Sequence, residues 1–175
     1  MYFDEDLMLE LRLNILDKYI DKFVIVEATR DHAGNKKKLN FDIKNFEKFQ
    51  NKIIYLIVDD IPEKVTKHKK NWSPNFVREN FNRNAITRAL TECSPNDLII
   101  ISDADEIPNL EVLEKIKINK FAIFTQKEFI YKLNLLSDNS WNGSSICYKK
   151  YLKSPQWLRD KKFIRRGFLR KFFFK

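Results

Sequence analysis

Residues 98 to 108 read Leu98-Ile99-Ile100-Ile101-Ser102-Asp103-Ala104-Asp105-Glu106-Ile107-Pro108. A short continuous apolar run that ends at once in acids predicts a fully buried strand stopping at Asp103. The pattern occurs twice upstream: Phe23-Val24-Ile25-Val26 ends at Glu27, and Ile53-Ile54-Tyr55-Leu56-Ile57-Val58 stops at Asp59-Asp60. Helical patterns separate these runs. Leu7, Leu11, Ile15 and Tyr19 recur at i, i+4 with Leu9, Leu13, Leu16 and Ile20 alongside, which predicts a helix from 6 to about 20 with a broad buried face. Asp4 or Asp6 can cap it.

A short helix around Phe41 to Phe49, one from Phe76 to about Thr91, and one opened by Pro108 and running to about Ile116 complete the series. Phe121 to Phe124 and Phe129 to Leu133 read as a pair of strands, and Asn142-Gly143 reads as a tight turn. Helices and strands in this alternating order predict an α/β fold with a mostly parallel sheet flanked by helices and antiparallel strands after residue 120.

Composition excludes several functions. Only three glycines occur in 175 residues, and there is neither a GxGxxG nor a GxxxxGK[ST], so dinucleotide and P-loop readings have no anchor. Cys93 and Cys147 form no disulfide framework or zinc spacing, which fits a reduced, cytoplasmic setting. No run approaches the roughly 18 apolar residues of a membrane span, and Asp4, Glu5 and Asp6 stand where a signal peptide needs bases. The net charge of +9 is a C-terminal property: residues 147–175 hold eleven Lys and Arg against one Asp, so the body is close to neutral.

Ligands of open α/β sheets bind at the carboxyl ends of the strands, so the three acidic strand ends predict one cleft. Glu27, Asp59, Asp60, Arg83 and Asp103 are the candidate ligand-binding residues. Asp103 and Asp105, two residues apart, point to one side if the extended backbone persists past the strand. Two adjacent carboxylates repel unless a cation lies between them, so Asp103 and Asp105 are the candidate metal ligands. The neighbours exclude two rival chemistries. Ile107 occupies the place where an aspartyl-phosphate phosphatase needs Thr or Val, and Pro108 and Glu114 occupy the sixth and twelfth places of a calcium loop.

Within the helix from Phe76, the residues Phe76, Glu79, Arg83, Ile86 and Leu90 share one face. The Glu79–Arg83 pair therefore makes an i, i+4 bridge at the core edge, or Arg83 reaches the acidic cluster or a phosphate, or both. His32 and His68 sit in polar loops without ligand spacing. Trp72 and Trp141 are loop aromatics that either stack on a sugar ring or pack on the core, and Trp141 is the candidate acceptor platform.

Several blocks, in order, resemble glycosyltransferase family 17: Asp4-Glu5-Asp6-Leu7-Met8-Leu9-Glu10-Leu11-Arg12-Leu13, Asp21-Lys22-Phe23-Val24-Ile25-Val26-Glu27-Ala28, Lys52-Ile53-Ile54-Tyr55 through Asp59-Asp60, Arg83-Asn84-Ala85-Ile86, and Ile101-Ser102-Asp103-Ala104-Asp105-Glu106-Ile107-Pro108. That family includes the β-1,4-mannosyl-glycoprotein 4-β-N-acetylglucosaminyltransferases. The resemblance covers most of residues 4 to 110 and weakens to Trp141-Asn142-Gly143 and beyond. It implies a GT-A-like, Rossmann-type fold and an inverting transfer of a sugar from a UDP-sugar donor, UDP-N-acetylglucosamine by default, to a glycan acceptor, assisted by Mn²⁺ or Mg²⁺.

By motif position the resemblance assigns Asp103 and Asp105 to the metal and diphosphate, with Arg83 and Glu106 in support. An inverting transfer also needs a general base, for which Glu106 and Asp138 are the candidates. The family begins with a strand before the first helix and continues beyond residue 175, so the chain reads as a single glycosyltransferase domain truncated at both ends.

One alternative places function in the basic aromatic segment 147–175, where Lys161-Lys162-Phe163-Ile164-Arg165-Arg166-Gly167-Phe168 interleaves charge with rings. Such a segment suits peripheral contact with an anionic membrane on its inner face, or nucleic acid, or a structural role in which its phenylalanines are core. A second alternative is a fragment without catalysis. Metal-dependent UDP binding that needs Asp105 separates the transferase from both.

Overall fold

The computed structural model describes residues 1–62, 73–132 and 134–161. The cluster Lys67, His68, Lys69 and Lys70, together with Trp72, Leu133 and the tail from Lys162 onward, lies outside the described residues.

Helix α1 (Asp6–Leu16) is followed by strand β1 (Phe23–Ala28), a 3-10 turn over Ile43–Phe49 and strand β2 (Ile53–Val58). Helix α2 (Pro74–Ala85) continues as a 3-10 segment, Ile86–Leu90, before β3 (Leu98–Ile101). A 3-10 turn at Leu110–Glu114, the strands β4 (Phe121–Phe129) and β5 (Leu136–Tyr148), and the short helix α3 (Pro155–Arg159) complete the order. Ser73 starts α2 by accepting from Phe76 N at 3.2 Å, with Pro74 in the first turn, where its missing N–H costs nothing. Asp6 does not cap α1; it lies inside the first turn and accepts from the Tyr2 hydroxyl and, at 3.0 Å, from Asn45 Nδ2.

The chain is α/β, but its sheet is not mostly parallel. Strands β1 and β2 pair in parallel, with Phe23 opposite Ile53 and Ala28 opposite Val58. Strand β3 joins a separate antiparallel sheet of order β3-β5-β4, with Ile99 opposite Cys147 and Ile101 opposite Ser145. An apolar run identifies a strand but not its neighbour, and the expected full burial holds best for β1: most of β2 is half-buried, and Ile57 and Leu98 are exposed. The long β5 serves β3 on one edge and β4 on the other, and this sets the layout.

Asn142-Gly143 lies inside β5 rather than at a turn. Thr125 opposes Asn142 while Ile123 opposes Ser145, so β5 carries an extra residue there, a bulge. A side chain on Gly143 would place its Cβ 1.9 Å from Gln126 Oε1, which itself accepts from Ser144 N at 2.8 Å. The reversal falls instead between β4 and β5, where Tyr131 has φ 61°.

Three apolar clusters hold these elements. Leu9, Leu13 and Leu16 of α1 pack with Tyr2, Phe23, Ile25, Phe46, Phe49 and Leu110. Each fully buried leucine contributes about 2 kcal/mol. The i, i+4 series named first on this helix faces the other way: Leu7, Leu11 and Ile15 are exposed. Periodicity defines stripes on a helix but cannot choose between two adjacent apolar ones. Val26, Ala28 and Val58 meet Ile61 and Ala85 beneath α2, and Leu90, Ile99, Ile101, Cys147 and Leu158 bind β3 to β5 and α3. In the described part of the basic C-terminal segment, Cys147 and Leu158 are therefore core residues. Lys149 bonds to Leu90 O at 3.0 Å, partly buried, and Lys150 to Asn96 Oδ1 at 2.7 Å on the exposed surface.

Candidate active site

After Ile101 the backbone leaves the strand and turns. Glu106 N returns to Asp103 O at 3.2 Å, so the extended conformation that would put Asp103 and Asp105 on one side does not persist. Three arginines from distant elements hold this turn. From α1, Arg12 donates through Nη1 to the carbonyl oxygens of Asp103 (3.2 Å) and Glu106, and through Nη2 to Ser102 Oγ. Arg83 of α2 donates through Nη2 to Asp103 Oδ1 at 3.0 Å and to Glu79 Oε1 at 2.8 Å. Its Nη1 is taken by Gln156 Oε1 at 2.5 Å.

The third is Arg159, at the end of α3. Its Nη2 donates to Asp103 Oδ2 at 3.0 Å and Glu106 Oε1 at 2.9 Å, and its Nη1 to Glu106 Oε2 at 2.9 Å and Gly143 O at 2.6 Å. This is the forked geometry in which guanidinium–carboxylate bonds are strongest.

Every oxygen of the two carboxylates accepts at least one of these bonds. Burial works against ionisation of Asp103, but the charges of Arg83 and Arg159 outweigh it and hold its carboxyl below the usual range. Glu106 is buried and also accepts from Trp141 Nε1 at 2.9 Å and from Asp103 N at 3.1 Å. Its oxygens are taken by Arg159 and Trp141 and it is absent from the lining of the neighbouring pocket, so its position does not favour Glu106 as a general base. Arg12 pays for its position: burial lowers its pKa to about 10, despite Glu106 and Asp103 nearby, and it stays charged at neutral pH.

Beside this turn lies a pocket of about 720 Å³, within the size range of small-molecule sites. One end is formed by Asp103, Ala104 and Asp105 with Glu5 and Met8, and α2 contributes Glu79, Asn82 and Arg83. Ala28, the loop Arg30, Asp31, His32 and Ala33, Lys37 and the first residues Met1, Tyr2 and Phe3 also line it. The loop is pinned from α2, where Arg78 Nη1 donates to His32 O at 3.3 Å and Ala33 O at 3.2 Å. His32 is exposed and also lines the pocket.

The donor set limits how a divalent cation fits. Both Asp103 oxygens already accept from arginine, whereas Asp105 is exposed and lines the pocket. No group of three or more His, Cys, Asp or Glu able to hold a metal exists among the described residues. Asp105 therefore offers the more open carboxylate to an ion completed by ligand oxygens, with Asp103 beside it on the same pocket wall.

The sequence of the whole chain agrees with a site of this kind. A sequence model of glycosyltransferase family 17 matches residues 1–164. The chain belongs to that family. Over 106 residues, 58% of the chain, it is 29% identical to the human and rat proteins named beta-1,4-mannosyl-glycoprotein 4-beta-N-acetylglucosaminyltransferase. The mouse protein of that name is 28% identical over the same length. The chain spans about a fifth of the length of these curated relatives, 19% in each case. No solved structure matches it.

In this family-17 chain the acidic strand ends do not all converge. Glu27 is fully buried, is absent from the pocket lining and sits in a cage of donors: Lys37 Nζ, Asn40 N at 2.8 Å, Phe41 N at 3.1 Å and Tyr55 Oη at 2.8 Å all donate to it. Burial opposes its charge, but these bonds lower its pKa overall. Asp60 makes an exposed double bond to Arg88 at 2.9 and 2.8 Å, and neither it nor Asp59 lines the pocket. Direct ligand binding by Glu27, Asp59 or Asp60 is thus at odds with their positions.

Arg83 does reach the acidic turn while keeping its bridge to Glu79, and its committed nitrogens leave it a holder of Asp103. Trp141 stands beside the turn with its N–H on Glu106 and about half its surface open, at 46% exposure. Asp138 is exposed on β5, outside the pocket lining. Sequence reasoning missed Arg12 and Arg159. Arg12 stands among the apolar positions of α1, the signal that singled out Arg83. Arg159 gave no such signal, since it looks like one more base in a basic segment. No helix among the described residues is long and apolar enough to cross a membrane.

Proposed function

We propose that this chain binds a UDP-sugar in the pocket beside Asp103-Ala104-Asp105 and takes part in inverting transfer of the sugar, N-acetylglucosamine in the default case, to a glycan acceptor. The observation that carries the reading is the arginine-held acidic turn forming one end of a nucleotide-sized pocket in a family-17 chain. Clamped by Arg83 and Arg159, Asp103 fixes the turn and thereby aims Asp105. Asp105 would hold Mn²⁺ or Mg²⁺ together with the donor's phosphates, and the ion would supply the charge that stabilises a departing diphosphate. The half-open ring of Trp141, anchored by its N–H, offers the acceptor sugar a rigid apolar face.

The relatives' name includes N-acetylglucosaminyl transfer to a mannosyl glycoprotein, which supports the choice of donor sugar and a glycan acceptor. Calorimetric titration of the chain with UDP, with and without Mn²⁺, tests the reading. Expected is binding that requires the metal and disappears in Asp105→Ala while the variant stays folded. A folded chain that ignores UDP in the presence of Mn²⁺ and Mg²⁺ sinks it.

A further inference from the structure

Residues 141–144 of β5 are tied to the acidic turn by several separate bonds. Trp141 Nε1 donates to Glu106 Oε1 at 2.9 Å, and Ser144 Oγ donates to Glu106 O at 3.5 Å. Arg159 spans the two segments, since its Nη1 donates both to Gly143 O at 2.6 Å and to Glu106 Oε2 at 2.9 Å. The extra residue of β5 falls in this stretch, between Asn142 and Ser145, and a bulge re-aims the side chains beside it.

Within the turn the same glutamate is bound twice to Asp103. Its Oε2 accepts from Asp103 N at 3.1 Å, and its own N donates to Asp103 O at 3.2 Å. Arg159 Nη2 adds a third link by joining Glu106 Oε1 to Asp103 Oδ2. The turn is therefore a closed unit with Ala104 and Asp105 between its ends, and the carboxylate that closes it also holds the indole. Glu106 is 6% exposed. A buried network of charge-assisted bonds passes on small displacements, because a bond that lengthens there has no solvent to replace it.

We infer that Glu106 is a positioning residue joining the two halves of the site: it sets the ring of Trp141 against the donor turn, so that loading of Asp105 is felt at the acceptor platform. This rests on the UDP-sugar reading above. Trp141 does not line the pocket, so a ligand there acts on the indole through Glu106 rather than by touch. The side chain suits the task. Its charge keeps the fork of Arg159, and its length brings Oε1 to the indole while Oε2 stays on the turn.

The test follows the indole N–H resonance of Trp141 in ¹H–¹⁵N spectra of the full chain, identified with Trp141→Phe, as UDP is added with Mg²⁺. Expected is a shift of that resonance that saturates together with UDP binding measured by calorimetry. Glu106→Asp keeps the charge but draws the carboxylate back by a methylene, and there the response should be lost. UDP that binds the unaltered chain without moving the Trp141 resonance overturns the inference and leaves the donor reading intact. So does an undiminished response in Glu106→Asp, which would mean direct contact. If the aspartate variant fails to fold or to bind UDP, the UDP affinity of Trp141→Phe decides. Coupling between sites is reciprocal, so loss of the indole N–H should change that affinity about fivefold or more, and parity with the parent overturns the inference. Absence of any UDP binding to the unaltered chain removes the donor reading and this inference with it.

Discussion

Arg159 Nη2 lies 3.0 Å from Asp103 Oδ2, across 56 residues of sequence, and the same guanidinium grips both oxygens of Glu106. The last described helix therefore holds the acidic turn that follows β3. With Arg83 on its other oxygen, Asp103 is enclosed by two cations, and Asp105 is left as the open carboxylate of the pair.

Removing Arg159 leaves the buried Glu106 short of its main partner. Arg159→Gln is expected to destabilise the chain by about 3 kcal/mol, the usual scale for breaking a buried pair from one side. Arg159→Lys should recover only part of this, because a point charge cannot span both carboxylates. Urea denaturation of the three proteins checks the order. Indistinguishable midpoints would show that the bonds contribute nothing net.

The lowered pKa of Asp103 makes stability depend on pH in a fixed direction. The unfolded carboxyl titrates near its ordinary 3.8 and the native one lower, so the unfolded chain takes up the proton first as pH falls. The contribution of Asp103 is thus present above about 3.8 and lost as pH falls through the native value. Glu27 shifts the same way and adds to the trend. Asp103→Asn should be less stable than the parent at pH 7, with the gap narrowing toward pH 3 in urea midpoints taken across that range. A gap independent of pH rules out the ion pairs as its source.

The cage around Glu27 gives a separate expectation, remote from the pocket chemistry. Tyr55→Phe deletes a 2.8 Å bond to a fully buried carboxylate and should cost about 2 kcal/mol, in the range for hydrogen bonds to charged groups. UDP affinity, measured in the same preparation, should stay within twofold of the parent. A large loss of affinity with little loss of stability would place Glu27 in ligand binding after all.

Gly34 has φ 98°, a conformation that side chains other than glycine's rarely adopt, and a Cβ there would sit 2.7 Å from the Arg78 guanidinium. Gly34→Ala is expected to cost about 1–3 kcal/mol and to loosen the 30–33 loop that walls the pocket. Thermal melting gives the first quantity, and amide hydrogen exchange at residues 31–35 gives the second. Unchanged protection there would mean that Arg78 does not hold the loop through this contact.

How much of this was legible beforehand can be read from particular residues. The runs at Phe23, Ile53 and Leu98 announced β1, β2 and β3, although only β1 is largely buried: Ile57 and Leu98 are exposed and most of β2 is half-buried. Ser73-Pro74 opens α2, although the pattern alone located that helix from Phe76. The Glu79–Arg83 pair was visible because charges on an apolar helix face need partners, and the structure supplies both of the partners that were envisaged. By contrast, Leu7, Leu11 and Ile15 were indistinguishable in sequence from Leu9, Leu13 and Leu16, and Asn142-Gly143 looked the same as a turn until β4 paired across it.

The sequence by itself determined the three strands, the acidic segment after the third, and membership of glycosyltransferase family 17, because apolar runs and ordered motifs are local properties. Tertiary structure alone decided which acids meet. It sent Glu27 into a cage, tied Asp60 to Arg88, and enclosed Asp103 between Arg83 and Arg159 while leaving Asp105 open. The reason is physical: a carboxylate's role depends on which donors lie within about 3 Å of it, and those donors come from helices that are neighbours in space but tens of residues apart along the chain.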